Sequence, residues 1–150
     1  MASFKTRRLR AVDMAAAAQV HRLSFDECMP WLAGLHTPQE DCRFWSGHLF
    51  AFCTIWGAEL AGRLVGVIAY REDWVEQLYV LPQAQGQGVG SSLLEMAKAD
   101  QPQLSLWTFQ RNTQARQFYE ARGFVPVKET DGAGSEEKEP DVLYHWARET

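Results

Sequence analysis

The sequence predicts a mixed α/β domain. Strand-like and helix-like runs alternate along the 150 residues without an internal repeat, and a glycine-rich loop stands between a strand and a helix near the centre. The length suits one domain, 1–150 with its core over about 5–148, large enough to bury a substantial interior. The element order read from the pattern is β-α-α-β-β-β-α-β-α-β-β.

Phe4–Arg10 alternates Phe4, Thr6 and Arg8 against Lys5, Arg7 and Leu9, the period of a short strand. Asp13 is placed to cap a helix over about Met14–Leu23, with Ala17, Val20, His21 and Ser24 along one side. Pro30 and Gly34 break that pattern. Thr37-Pro38-Gln39-Glu40 reads as a helix start, with Thr37 as N-cap, Pro38 first and Glu40 closing a capping box. This second helix reaches about His48, with Cys42, Trp45 and Leu49 on its inner side. A meander follows. Ala51–Leu60 and Arg63–Arg71 are joined by a hairpin turn at Ala61-Gly62. Then comes Trp74–Val80, rich in β-branched and aromatic residues and closed by Pro82, which has no N–H for a ladder. Val89, Leu93, Leu94 and Ala97 recur at helical spacing, so a helix opens at about Gly90–Ser91. Gln101-Pro102 stops it, and Leu104–Phe109 alternates as a strand. Asn112 opens a helix to about Ala121, ended by Gly123 as a left-handed cap. Phe124–Lys128 and Val142–Ala147 are the last strands. Between them Glu129–Asp141, rich in Asp, Glu and Gly, is expected to be a mobile, solvent-facing loop.

The central loop is Gln85-Gly86-Gln87-Gly88-Val89-Gly90. Its glycines let backbone approach a ligand closely, and free N–H groups at a helix start favour anionic oxygens. It is no Walker A loop, because Gly90 is followed by Ser91-Ser92 and the next lysine is Lys98. A dinucleotide fingerprint needs a third glycine where Ser91 stands and an acidic residue about twenty positions on, where the chain reads Gln110-Arg111.

The remaining pattern, Gln/Arg-x-x-Gly-x-Gly/Ala, is met by Gln85, Gly88 and Gly90. This segment resembles the pyrophosphate-binding motif of the GNAT superfamily of acyl-CoA-dependent N-acetyltransferases. Downstream, Asn112–Phe124 is similar to the later segment of that family. There an Asn begins a helix and a Phe-Tyr pair, here Phe118-Tyr119, precedes Gly-Phe. The resemblance implies a GNAT-like fold whose central sheet splits where its fourth and fifth strands diverge. It implies an enzyme that moves an acetyl group from acetyl-CoA directly to a primary amine in a ternary complex, without a metal. Gln85, Gly86, Gln87, Gly88, Val89, Gly90 and Ser91 would then hold the pyrophosphate. Backbone groups at Leu78 and Val80 would bond the pantetheine arm, Asn112 would contact that arm, and Tyr119 would protonate the departing thiolate. Asn112 and Tyr119 stand two helical turns apart and so share a side.

Glu76 is the candidate general base, sharing strand parity with Leu78 and Val80. A solvated strand carboxylate is an equal reading of it. The resemblance puts the acceptor between Trp31–His36 and Glu129–Asp141. Trp31 and Leu35 can line a pocket there, and Glu136, Glu137, Glu139 and Asp141 would favour a cationic amine. Core packing for the tryptophan and a solvated charge run for the acids are the simpler readings of those residues. The acceptor is a small-molecule or peptide amine, and a homodimer is left open. An acyl-CoA-binding sensor or interaction domain without turnover is the alternative function.

The net charge of −4 argues against a general nucleic-acid binder. No apolar run has membrane-spanning length, and no signal-type hydrophobic segment follows Met1–Arg10, so a cytoplasmic chain with no membrane partner is expected. Cys28, Cys42 and Cys53 are odd in number and lack C-x-x-C spacing, which predicts reduced, buried thiols. With His36 and His48 they match no zinc spacing.

Overall fold

The computed structural model describes residues 3–149. Its strands are β1 (Lys5–Arg8), β2 (Thr54–Leu60), β3 (Arg63–Arg71), β4 (Trp74–Val80), β5 (Gln103–Phe109), β6 (Val125–Thr130) and β7 (Asp141–Ala147). They form one sheet in the order β1-β2-β3-β4-β5-β7-β6. The meander turn is the expected one: Ala61 and Gly62 both take positive φ, 52° and 79°, as the twist of a tight hairpin requires. All neighbouring strands are antiparallel except β4 and β5, whose one register pair is Trp74 with Ser105. Beside it the Ser105 N–H donates to the Asp73 carbonyl at 2.7 Å. Beyond that point the two strands separate, which is the split implied by the resemblance.

The helices are α1 (Met14–Cys28), α2 (Pro38–Arg43), α3 (Phe50–Phe52), α4 (Val89–Asp100) and α5 (Thr113–Glu120). Three expectations about them change. First, α1 runs past Leu23 to Cys28, because no breaker intervenes before Pro30 and the buried spacing continues. Second, Asp13 does not cap α1. Its carboxylate accepts from the Arg10 N–H at 2.7 Å and from the Arg7 guanidinium at 2.8 and 2.9 Å, closing a 3-10 turn over Ala11–Asp13. Those bonds hold its carboxyl well below the usual range, at about 2. Third, the second helical stretch passes through a π-helical segment, Phe44–Leu49, into α3, so β2 begins at Thr54 rather than Ala51. That extra width turns Trp45 and Leu49 inward, where both are fully buried. The Thr37–Glu40 capping box forms as expected, with bonds of 3.1 and 2.9 Å. Cys42 packs half-buried against the core as expected; Asp41 beside it is buried as well, and Arg22 of α1 clamps it through two bonds of 2.8 and 2.9 Å. The three cysteines are free but only half-buried.

Strand β3 is buried from Val65 to Tyr70, because helices cover both faces, α1 on one and α4 on the other. The approach of α4 depends on Gly66. A Cβ there would stand 2.7 Å from Val89 Cγ1 and 3.1 Å from Leu93 Cδ1. Since α4 begins at the glycine loop, this contact also sets the loop's position.

Gly66→Val is expected to push α4 off the sheet and cost about 2 kcal/mol or more of stability, the range of an overpacked core. Chemical denaturation checks this; an unchanged midpoint would mean that α4 does not rest on this glycine.

Candidate active site

The divergence of β4 from β5 leaves backbone polar groups without a strand partner. The Leu81 N–H donates to the Val65 carbonyl at 2.8 Å, which fixes the parity of the end of β4. By strand alternation, Tyr79 turns its backbone groups toward β3, while Leu78 and Val80 turn theirs toward the open side. A cleft of about 440 Å³ fills that opening, and Leu78 and Val80 both line it. Gln85 is tied into the wall rather than left free. Its Nε2 donates to the Val80 carbonyl at 3.0 Å, and its Oε1 accepts from Gln114 of α5 at 3.0 Å.

The loop behaves as its glycines require. Gly86 and Gly88 have φ of 79° and 86°, where a side chain is strained, and a Cβ on Gly90 would crowd the Phe118 ring at 3.3 Å. Gly86, Gly88, Val89, Gly90 and Ser91 line the cleft with Gln85. Gln87 does not; it is exposed, and its amide reaches back to the Gln83 carbonyl at 3.4 Å. Asn112 caps α5 by accepting from the Ala115 N–H at 3.1 Å and also lines the cleft.

Tyr119 lines the same cleft from the opposite wall and is buried against Phe118, Phe124 and Tyr144. Burial drives its hydroxyl above the usual phenol range, so it stays protonated at neutral pH. Tyr79, which the parity argument passed over, lies beside the same space with its hydroxyl also raised by burial and by Tyr119.

Glu76 sits differently from its predicted place. Ala69 pairs with Gln77 but Tyr70 pairs with Val75, so Glu76 is the extra residue of a β-bulge. The simple parity with Leu78 and Val80 is interrupted there. The bulge leaves Glu76 half-buried, with Arg71 donating to its carboxylate at 2.9 Å.

A second cavity, about 710 Å³, adjoins the cleft along β4 and β5. Phe25, Glu76, Gln77, Tyr79, Trp107, Thr108 and Phe109 line both spaces. His21 forms part of the second wall, stacked on Tyr79 at 4.4 Å. Its Nδ1 accepts from Trp45 Nε1 at 3.0 Å, so a neutral ring carries its proton on Nε2. Burial, then the nearby Arg22 charge, pull its pKa down to about 4.

Glu129–Asp141 is largely exposed, as expected, but it is pinned at Glu139. Glu139 is buried and accepts from Trp31 Nε1 at 3.0 Å and from Arg111 at 2.8 and 2.9 Å. Arg111 also lies over the Trp31 ring at 4.1 Å, and His36 meets Glu136 at 3.1 Å. Trp31 is half-exposed rather than core. Glu136, Glu137, Asp141 and Leu35 line the cavity, while Glu139 is taken up by Arg111 and Trp31 and does not.

Sequence reasoning missed the C-terminal turn of α1, whose Ser24, Phe25, Cys28 and Met29 line the cleft; the spacing 21, 24, 25, 28 continued the pattern past the predicted end. It also missed Arg122. That guanidinium covers Phe118 at 3.9 Å, approaches Ser91 Oγ at 3.3 Å and is a cation on the cleft wall beside the glycine loop. It lies just past the end of α5, in the turn before Gly123, and no sequence signal singled it out.

A family model described as an acetyltransferase (GNAT) domain matches residues 51–126. The chain belongs to the GNAT acetyltransferase family. The matched region holds the meander, the glycine loop and the helix bearing Tyr119. This GNAT chain is 30% identical over 95 residues to an uncharacterised N-acetyltransferase of Archaeoglobus fulgidus, covering 53% of this chain and 64% of that protein. It is 33% identical over 70 residues to the peptidyl-lysine N-acetyltransferase YiaC of Escherichia coli, covering 46% of this chain and 48% of the relative. The chain thus spans about half to just under two thirds of the curated relatives it matches. Its fold is shared with the PaiA N-acetyltransferase of Thermoplasma acidophilum solved in complex with coenzyme A: TM-score 0.75, 20% identity, 97% of this chain and 99% of that one.

His21 gives this GNAT domain an acid-sensitive interior. An unfolded histidine takes a proton near pH 6.5, which the folded ring refuses until about 4. Between those values the unfolded state binds more protons, so stability falls as pH drops through the window, by up to about 3 kcal/mol. Denaturation midpoints from pH 7 to 4.5 should fall less steeply in His21→Gln than in the wild type; parallel slopes would assign the acid sensitivity elsewhere.

Proposed function

We propose that the chain transfers an acetyl group from acetyl-CoA to a primary amine by direct attack in a ternary complex. The observation that carries this reading is the meeting of two cavities at the split edge of β4. One is lined by the glycine loop and Tyr119, the other by carboxylates and aromatic rings. Acetyl-CoA supplies the acyl group activated as a thioester. The fit is chemical: left-handed glycines, the start of α4 and Arg122 suit a pyrophosphate, and unpaired strand backbone suits a pantetheine arm bearing amides.

The chain's own groups then divide the work. Backbone at Leu78 and Val80 orients the arm and polarises the carbonyl. Glu76, at the junction, takes a proton from the incoming ammonium through water. Tyr119 gives its proton to the departing thiolate. The acceptor ammonium loses two protons in all: the first passes through Glu76 to solvent, and the second leaves the nitrogen of the tetrahedral intermediate and restores the one Tyr119 gave to sulfur, so the C–N bond forms, the C–S bond breaks and one proton is released. No cysteine is needed as an acyl carrier, and direct transfer is the simpler route.

For the acceptor, the carboxylates of Glu136, Glu137 and Asp141 and the faces of Phe25, Phe44 and Trp107 on the second cavity favour an alkylammonium. A lysine side chain has that chemistry, and the relative YiaC is named for peptidyl-lysine. Thiol release from acetyl-CoA over a panel of amines, lysine peptides included, tests the reading directly; no release with any amine would sink it.

Tyr119→Phe should lower kcat by about 100-fold or more, the scale of a lost acid, with acetyl-CoA affinity little changed. Equal loss in both would reassign Tyr119 to packing. Gly88→Asp adds bulk and charge at a left-handed position on the cleft wall and should abolish acetyl-CoA binding by calorimetry; retained affinity would defeat the cofactor assignment.

A further inference from the structure

Ser24 of α1 is buried, 5% exposed, and its hydroxyl has no hydrogen-bond partner. Among the described residues it is the one buried side-chain polar atom left so. A serine inside a helix ordinarily returns its hydroxyl to the carbonyl four residues earlier; Ser24 does not. A buried hydroxyl without a partner is unfavourable unless something else supplies one.

Its surroundings say what that is. Ser24 lines the cleft that carries the glycine loop and Tyr119, with Cys28 beyond it on the same helix and Met29 just past the helix end. His21, three residues before, lines the acceptor cavity instead, and Phe25, its neighbour in sequence, lines both. Ser24 therefore stands on the wall where the cleft opens into the acceptor cavity. That is where an acyl group must lie if an amine from one space is to reach a thioester held in the other.

We propose that Ser24 is a binding residue for the acyl end of the donor, its hydroxyl donating to the thioester carbonyl oxygen of a bound acyl-CoA. The inference rests on the acetyl-CoA reading above. The hydroxyl oxygen is shielded from the open cleft, so on binding one side-chain torsion would carry it to the cleft side, a rotation that needs no movement of the helix. The pantetheine arm and pyrophosphate are held by other groups, which makes the bond selective for the acylated form.

Calorimetry with acetyl-CoA and with free CoA, on wild type and Ser24→Ala, separates the readings. The expected result is an acetyl-CoA affinity lower by about fivefold, the loss of one neutral hydrogen bond, with CoA affinity unchanged. The ligand-free variant should melt no lower than the wild type, since alanine suits a helix and removes the unpaired hydroxyl. Equal loss for both ligands would move the contact to the pantetheine arm and overturn the proposal, as would no loss for either. A lower melting temperature would reveal a protein partner for the hydroxyl and also overturn it. Wild-type protein that binds neither ligand would remove the acetyl-CoA reading itself, and Ser24's role with it; binding by the wild type keeps the two failures distinct.

Discussion

The structure turns on the loss of pairing between β4 and β5 after Trp74 and Ser105. Within a folded domain, strand backbone without a partner is costly, so almost every buried N–H and C=O is matched. Here the sheet is continuous on both sides of the gap: β1 to β4 form one antiparallel unit, and β5, β7 and β6 the other. Only the seam is open. An extended ligand carrying amides can complete the ladder, and no side-chain substitution is needed to create that affinity. The bulge at Glu76 marks the same seam from the β3 side, where an added residue bends β4 as it leaves β5.

Around the seam, buried neutral groups line the interior and several of the charges stand in fixed pairs. His21 is kept neutral by burial, and Tyr79 and Tyr119 are kept protonated by it. Asp41 is locked by Arg22, Glu139 by Arg111, and Glu76 is met by Arg71. Burial alone would raise the Asp41 carboxyl, and the Arg22 bonds and charge outweigh it, leaving it lowered. On the proposed reading, a carbonyl held there would meet oriented dipoles, the arrangement that stabilises developing charge at least reorganisation.

Much of the donor side was legible in the residues because its signals are local. Trp74–Val80 is a strand between the same bounds in pattern and in structure. The left-handed turns at Gly88 and Gly123 and the caps at Thr37 and Asn112 are each written in a few adjacent residues. What escaped depends on partners far along the chain. The bulge that lifts Glu76 out of alternation is a matter of register against β3. The burial of Glu139 needs Arg111 and Trp31, 28 and 108 residues away. The end of α1 was misplaced because Arg22, Asp26 and Glu27 interrupt an apolar pattern that tertiary packing completes.

The same distinction explains why the donor is easier to infer than the acceptor. The donor side is recognised largely by backbone: the edge of β4, the left-handed glycines and the N–H groups opening α4. Backbone recognition leaves its mark as glycines and caps, which any sequence carrying it must spell out. The acceptor cavity is walled instead by side chains from α1, α2, β5 and the loop before β7. One histidine–glutamate contact stands on its wall, and an ion pair stacked on an indole pins the same loop nearby. Each of those contacts can be replaced by another of similar strength without altering the sheet. On the proposed reading, the fold constrains where an amine arrives, and the side chains of the second cavity set which amine fits.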